Sequence, residues 1–305
     1  MARRKSGRDI NGILLFDKPS GMSSNAVLQR VKRIFNARKA GHTGSLDPLA
    51  TGLLPICLGE ATKMSGFLLD ADKHYQTTIK LGVKTTTADA EGEVMLTREV
   101  GNYSEDELEL VLAEFLGDIE QTPPMYSALK KDGQPLYKLA RQGIEVERKV
   151  RHISIYSIEV LAAEGDLLEL DVHCSKGTYI RTLAEDIGER LGCGAHVTVL
   201  RRLGVGPFSG EKMITPAQLE NIAEEGGLKA LDQLLLPMET ALVNWPEVRL
   251  SQDVAYFLKR GQAVQVPQAP REGLVKLFAE ENVFLGVGYI MDDGRVAPRR
   301  LLNSA

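Results

Sequence analysis

In "GHTGSLDPLATG", residues 41–52, Asp47 is the only carboxylate, set among glycines and small side chains and followed by a proline. A carboxylate on a bent loop can act as a nucleophile or as an anion beside a reacting sugar carbon. It can equally cap nearby backbone N–H groups, the ordinary use of Asp before Pro. The stretch is not G-x-x-x-x-G-K-[ST], so it does not read as a phosphate-cradling loop. Nor does Ser45 have the flanking glycines of G-x-S-x-G. Arg181 is the second candidate. It falls in the first turn of a helix, where the dipole disfavours a cation by about 0.3–1 kcal/mol. That placement makes sense if a carboxylate lies opposite; the plain alternative is a side chain reaching solvent or Glu185. Tyr75 and Tyr179 flank these features and read either as active-site aromatics or as core packing. His42, beside Gly41, reads as a site residue or as a plain loop histidine.

These residues need elements to hold them. "GILLFDKPSG" predicts a strand stopped by Pro19 and Gly21. "SSNAVLQRVKRIFNARKAG" predicts a helix capped by Ser23 or Ser24, with Val27, Leu28, Val31, Ile34 and Phe35 at helical spacing and Gly41 as its end. An apolar stretch and a short helix over 62–69 follow the Asp47 loop. "KHYQTTIKLGV" predicts a strand, 105–116 an acidic amphipathic helix, and "PLYKLARQG" a short helix ended by Gly143. Residues 151–175 alternate as two antiparallel strands turning at 164–166. "GTYIRTLAEDIGERLG" predicts a helix with Thr178 as cap and Gly192 as stop. "HVTVLRRLGVGPFS" predicts a strand, and 215–243 contains helical runs. Near Pro246 the pattern shifts to short strands, read in "AYFLKRGQAVQVP", "LVKLFAE" and "VFLGVGYIMDDGRVAPRRLL", with a hairpin at Asp293-Gly294. The fold class expected is α+β, a mainly antiparallel mixed sheet with flanking helices, because helices and strands mix without strict βαβ alternation.

Composition narrows the function. The 305 residues are 43% hydrophobic and 26% charged, as in soluble globular proteins. No apolar run approaches the roughly 20 residues of a membrane span, and the basic start has too short an apolar run for a signal peptide. Cys57, Cys174 and Cys193 form no C-x-x-C pair, which fits a reducing cytoplasm. The five histidines show no metal-ligand spacing. Net charge is −4, yet cations crowd two segments. Arg3, Arg4, Lys5, Arg8, Lys18, Arg30, Lys32, Arg33, Arg38 and Lys39 make up the first. Lys130, Lys131, Lys138, Arg141, Arg148, Lys149 and Arg151 make up the second. A local basic face, not the chain sum, decides polyanion binding.

"DKPSGMSS", "GHTGSLDPLATGLLPICLGEATK", "KHYQTTIKLG", "CSKGTYIRTLAEDIGERLGCGAHV" and "LRRLGVGPF" follow one another in that order. With them the chain resembles, over nearly its whole length, the bacterial TruB class of tRNA pseudouridine synthases. The tail, with "GQAV" and "FLGVGYIMDDGRVAPRRLL", resembles the PUA RNA-binding module of that class. The resemblance implies a catalytic domain over 1–245, with an RNA-gripping insertion at about 125–152, and a small β-rich PUA-like barrel over 246–305. It implies that Asp47 is the catalytic aspartate, that Arg181 pairs with it, and that Tyr75 stacks on the target base and moves a proton at C5. Tyr179 then matches an active-site position, Leu200 an apolar wall, and His42 the space around flipped-out nucleotides. Lys18 and Pro19 support the loop, and Lys130 and Arg141 lie in the gripping segment. The implied reaction converts uridine 55 of the tRNA TΨC loop, without cofactor or metal, in a cytoplasmic monomer, with assistance to tRNA folding as an implied second activity.

That chemistry suits these residue types. Breaking N1–C1′, turning the base and joining C5 to C1′ is an isomerisation. The carboxylate can serve by adding to C6 or by acting at C1′, and the sequence leaves both routes open. Removing the uridine from its stack costs a few kcal/mol, offset by phosphate contacts from a basic face. The competing reading is a non-catalytic RNA-binding or tRNA-folding protein in which Asp47 only makes a turn. A small-molecule hydrolase is disfavoured because the motif lacks a second acid.

Overall fold

The alternating and apolar runs do form strands, and those strands build the platform for Asp47. The structure is a computed structural model that describes residues 7–303; Arg3, Arg4 and Lys5 of the first basic segment lie outside the described residues. Strand β1 (Gly12–Lys18) is followed by helix α1 (Ser24–Ile34), whose N-cap Ser23 accepts a hydrogen bond from the Ala26 N–H. The helix ends earlier than expected. Asn36 takes a left-handed φ of 46°, and residues up to Gly41 leave the helix to form a short strand, β2 (Ala40–His42). After the Asp47 loop come β3 (Thr51–Leu58), a helical turn α2 (Ser65–Leu69) and β4 (Lys73–Leu81). A small hairpin, β5 (Val83–Thr85) and β6 (Val94–Thr97), leads to α3 (Glu105–Ala113) and β7 (Gly117–Gln121). The basic insertion holds a minimal hairpin, β8 (Lys130–Lys131) and β9 (Gln134–Pro135), and α4 (Leu136–Ala140). Then follow β10 (Arg151–Glu164), β11 (Leu167–Cys174), α5 (Ile180–Arg190), β12 (Ala195–Val205), β13 (Phe208–Ser209) and α6 (Pro216–Asp232).

The central sheet runs β1-β3-β12-β4-β11-β10-β7, with β2 pairing β3 and β13 pairing β12. Every pair is antiparallel except β3–β12, where Thr51 and Gly52 lie opposite Arg201 and Arg202. Gly52 is required there. Its φ is +98°, and a Cβ would come within 2.3 Å of the Arg202 carbonyl oxygen. In β4 the residues alternate strictly between buried and half-buried, so Lys73, Tyr75, Thr77 and Ile79 share the inner face. Helix α5 packs on that face through Leu183, Ala184 and Ile187, in one apolar core with Tyr75, Leu170 and Leu200. Helix α1 packs on the other end of the sheet, Val27 and Val31 against Leu14, Leu54 and Ile56.

The C-terminal module differs from expectation in two respects. Residues read as a strand in "AYFLK" belong to α7 (Gln252–Lys259), capped by Ser251, with Ala255 and Leu258 buried at helical spacing. The strands β14 (Glu247–Arg249), β15 (Leu274–Phe278), β16 (Phe284–Ile290) and β17 (Val296–Leu301) form an open sheet in that order. The expected barrel is therefore not closed among the described residues. Four strands are too few to close around packed side chains, and Ala255 and Leu258 of α7 instead complete the core with Val275, Leu277 and Val296. The Asp293-Gly294 turn joins β16 to β17 as expected. The module is seated on the rest of the chain, Val287, Leu274 and Phe284 packing with Leu53, Phe67 and Trp245.

Candidate active site

The Asp47 loop is pinned from three sides. The Ser24 hydroxyl accepts from the Leu46 N–H at 2.8 Å and sits 3.1 Å from the Leu46 carbonyl. The Lys18 ammonium, fully buried, donates to the carbonyls of Ala50 (2.6 Å), Pro19 (2.8 Å) and Pro48 (3.0 Å). The Ala50 N–H closes the turn on the Asp47 carbonyl. Lys18 thus ties the end of β1 to the backbone that follows Asp47.

Arg181 does not reach solvent or Glu185. Its Nε lies 2.9 Å from Asp47 Oδ2, its side chain is 5% exposed, and Nη1 lies 3.4 Å from Asp89 Oδ2. Nη1 also donates to the Thr87 carbonyl and Nη2 to the Tyr126 carbonyl, at 2.8 and 2.7 Å. The cap of its helix also departs from expectation. Thr178 turns back to the Ser175 carbonyl, and Tyr179 occupies the cap position with no side-chain cap bond. Gln121, on the edge strand β7, supplies the missing partner: its Oε1 accepts from the Tyr179 N–H and its Nε2 donates to the Tyr179 carbonyl.

Asp47, Tyr75, Tyr179, Arg181 and Leu200 all line one cavity of about 310 Å³, at the small end of ligand pockets. A second cavity of about 550 Å³, beside Trp245 and Leu274, contains none of the candidate residues. Chemistry, not size, singles out the first. His42 lies on β2, half-buried, and does not line the cavity; its Nδ1 is buried without a hydrogen-bond partner. Lys130 and Arg141 are exposed on the insertion and do not line it either. The Arg141 guanidinium lies over the Tyr137 ring, 5.7 Å from its centre.

Electrostatics in the cavity follow from burial. The Asp47 side chain is 39% exposed because it faces the cavity, yet the surrounding protein crowds it enough to raise its pKa. Arg181 opposes that rise, Asp89 adds to it, and Lys18 opposes it. Burial raises the Tyr75 and Tyr179 phenols and keeps them protonated. It lowers Lys18 and Lys73 to about 8 and lowers His42 below the usual imidazole range. Among the described residues no cluster of His, Cys, Asp and Glu has the makings of a metal site.

Four residues of this site escaped the sequence reading: Lys73, Asp89, Gln121 and Arg202. Lys73 and Arg202 line the cavity. A signal existed for Lys73, which occupies the apolar phase of the β4 alternation. Nothing local marks Asp89 in "TTTADAEGE" or Gln121 at a sheet edge, because both act on residues about 60 or more positions away.

Three family descriptions cover this architecture. A TruB family pseudouridylate synthase N-terminal domain matches residues 32–180, a tRNA pseudouridylate synthase B C-terminal domain 181–243, and a pseudouridine synthase II TruB C-terminal region 246–302. The chain belongs to the TruB family. It is 60% identical to tRNA pseudouridine synthase B of Nitrosococcus oceani, over 99% of this chain and 98% of that one. Identity to the Pseudomonas aeruginosa protein of the same name is 55%, over 97% of each. Among solved structures, a Cbf5–Nop10–Gar1 complex matches at 30% identity with a TM-score of 0.74, over 96% of this chain and 84% of that chain. An H/ACA RNP bound to a substrate RNA containing 2′-deoxyuridine matches at 28% identity with a TM-score of 0.73, over 96% and 85%. These neighbours share the mixed sheet with flanking helices that the sequence predicts.

Proposed function

We propose that this TruB-family chain is a tRNA pseudouridine synthase that isomerises uridine 55 in the TΨC stem-loop. The observation that carries the reading is the Asp47–Arg181 ion pair on the wall of a cavity also lined by Tyr75, Tyr179 and Leu200. Binding RNA alone gives no reason to present a carboxylate to a polyanion; breaking a glycosidic bond does. The names and full-length identity of the relatives support tRNA as substrate.

In this reading the uridine leaves its stack and enters the cavity. Arg181 keeps Asp47 ionised and oriented by a charge-assisted hydrogen bond, against the burial that favours its neutral form. Asp89, itself held by the Thr87 hydroxyl and the Glu91 N–H, anchors the far side of Arg181. Asp47 then acts at C6 or C1′, N1–C1′ breaks, and the uracil turns while Tyr75 and Leu200 keep it from escaping. Once C5 is joined to C1′, the C5 proton is lost and N1 carries one, so atoms and electrons balance with no cofactor consumed. The insertion at about 125–152 draws the RNA loop in through Lys130 and Arg141, and His42 meets nucleotides next to the target. Residues 1–245 form the catalytic unit and 246–305 a PUA-like RNA-binding unit. No helix among the described residues is long and apolar enough to cross a membrane; a cytoplasmic monomer is the state proposed.

The test is incubation of the purified protein with an unmodified tRNA transcript and mapping of pseudouridine. Product at position 55 alone is expected; binding without product leaves only an RNA-binding protein.

A further inference from the structure

Arg202 is a buried charge that the chemistry above does not use. It is 1% exposed, the largest of the fully buried side chains, and among the described residues no carboxylate pairs with it. Its Nε donates to the Leu53 carbonyl at 2.7 Å and its Nη2 sits 3.3 Å from the Gly44 carbonyl. These neutral oxygens hold the guanidinium in place but leave its charge uncompensated, an arrangement that costs stability. What it faces is Tyr75. Strands β12 and β4 pair antiparallel with Arg202 directly opposite Tyr75, so the two side chains are cross-strand neighbours. Both line the cavity that holds Asp47.

We infer that Arg202 is a positioning residue that stabilises the phenolate form of Tyr75 while Tyr75 moves the C5 proton. The inference rests on Tyr75 being the proton carrier in the proposed reaction. The steps balance as follows. When N1–C1′ breaks, its electron pair stays on the uracil, and the phenol gives its proton to N1. After C5–C1′ forms, the phenolate oxygen takes the C5 proton, the C–H pair restores the C5–C6 double bond, and Tyr75 is a phenol again. Between these transfers the tyrosine is an anion inside the protein. Burial opposes that anion, as do the nearby Cys174 and Asp47, while the charge of Arg202 favours it. Lys73, two residues from Tyr75 on the same face of β4, adds a second cation to the cavity wall. Arg201 takes no part: it turns the other way and pairs with Asp17 at 2.8 Å.

The experiment is single-turnover conversion of tRNA transcripts carrying uridine or 5-deuterouridine by the wild-type protein, Arg202→Met, Arg202→Lys and Tyr75→Phe. Arg202→Met is expected to slow conversion roughly 100-fold, as for loss of an acid–base component, with tRNA affinity within a few-fold. Its deuterium isotope effect exceeds that of the wild type, and alkaline pH does not relieve its deficit, because the tyrosine must enter the reaction as a phenol to protonate N1. Arg202→Lys restores most of the rate. A slowed Arg202→Met with a wild-type isotope effect makes Arg202 structural only and overturns the inference. Should Arg202→Met fail to fold by circular dichroism, Arg202→Gln is read by the same isotope effect. Tyr75→Phe separates the two levels. Near-normal turnover in Tyr75→Phe removes Tyr75 as proton carrier. A Tyr75→Phe with an enlarged isotope effect beside an Arg202 variant without one removes the inference alone.

Discussion

Among the described residues two groups of cations lack carboxylate partners, and they lack them in opposite ways. Lys18, Lys73 and Arg202 are buried around the cavity, each fixed by backbone carbonyls: three for Lys18, the nearest to Lys73 being those of Ala71 and Leu69 at 2.5 and 2.7 Å, and two for Arg202. Lys130, Lys131 and Arg141 stand exposed on the insertion, with no ion-pair partner among the described residues. A buried charge held by neutral oxygens acts at short range in low dielectric and is little affected by salt. An exposed charge acts over about a Debye length and is screened. The first arrangement suits charge that forms during a reaction; the second suits a polyanion that must be gathered from solution. Asp47, Arg181 and Asp89 lie between them in character, a network in which two carboxylates share one buried guanidinium.

Substitution at Asp47 strikes the cavity side of this comparison hardest. Asp47→Asn should abolish pseudouridine and tritium release from 5-tritiated uridine while tRNA binding stays within a few-fold; normal tritium release would remove Asp47 from the chemistry. The same change should leave the melting temperature at pH 7 unchanged or higher. Because its pKa is raised on folding, the carboxylate's ionisation weakens the fold as pH climbs through the folded value. Arg181→Met comes next. It leaves Asp47 and Asp89 facing each other without their shared cation, and breaking such a buried pair costs about 3–5 kcal/mol. Chemical denaturation should show a large loss and activity assays a loss of turnover; an unchanged midpoint would mean that the network is not cooperative.

The pH dependence should be a smaller effect with two limbs. The acid limb, set by Asp47, should lie above the ordinary carboxylate value of 3.8, since burial raises that group. The alkaline limb should begin near pH 8, where the folded Lys18 and Lys73 lose their protons and their hold on the carbonyls around the cavity. A turnover profile flat to pH 10 would break the proposal that these ammonium groups maintain the site. Lys130→Gln with Arg141→Gln should give the smallest effect. KM should rise a few-fold at physiological salt and kcat stay constant, with the slope of log affinity against log salt reduced by about 0.7 per lost phosphate contact. A fall in kcat instead would move these residues from gathering the RNA to the chemistry.

How much of this could be read beforehand follows the range of each interaction. The β1 and β4 strands, the Ser23 cap, the Gly143 stop and the Asp293-Gly294 turn depend on neighbours within a few positions, and each is present in the structure. The misreadings share a cause. The α1 helix stops at Ile34 because Ala40–His42 pairs with β3. "AYFLK" is a helix because Ala255 and Leu258 bury against the C-terminal sheet. Thr178 yields the cap position because Gln121 satisfies the helix start from another strand. In every case a partner distant in sequence overrode a local preference.

The amino-acid sequence alone marked a few candidates for the site: a lone carboxylate on a Gly- and Pro-shaped loop, an arginine placed against its helix dipole, and aromatic residues at strand and helix starts. These are visible because backbone geometry and local electrostatics act over a few residues. Only the tertiary structure decided which charges meet. Inserting β12 between β3 and β4 brings Arg202 opposite Tyr75 and packs α5 so that Arg181 reaches both Asp47 and Asp89. Strand order and register set those distances, and they are fixed by burying side chains from far-separated parts of the chain in one core, a balance that no single stretch of residues contains.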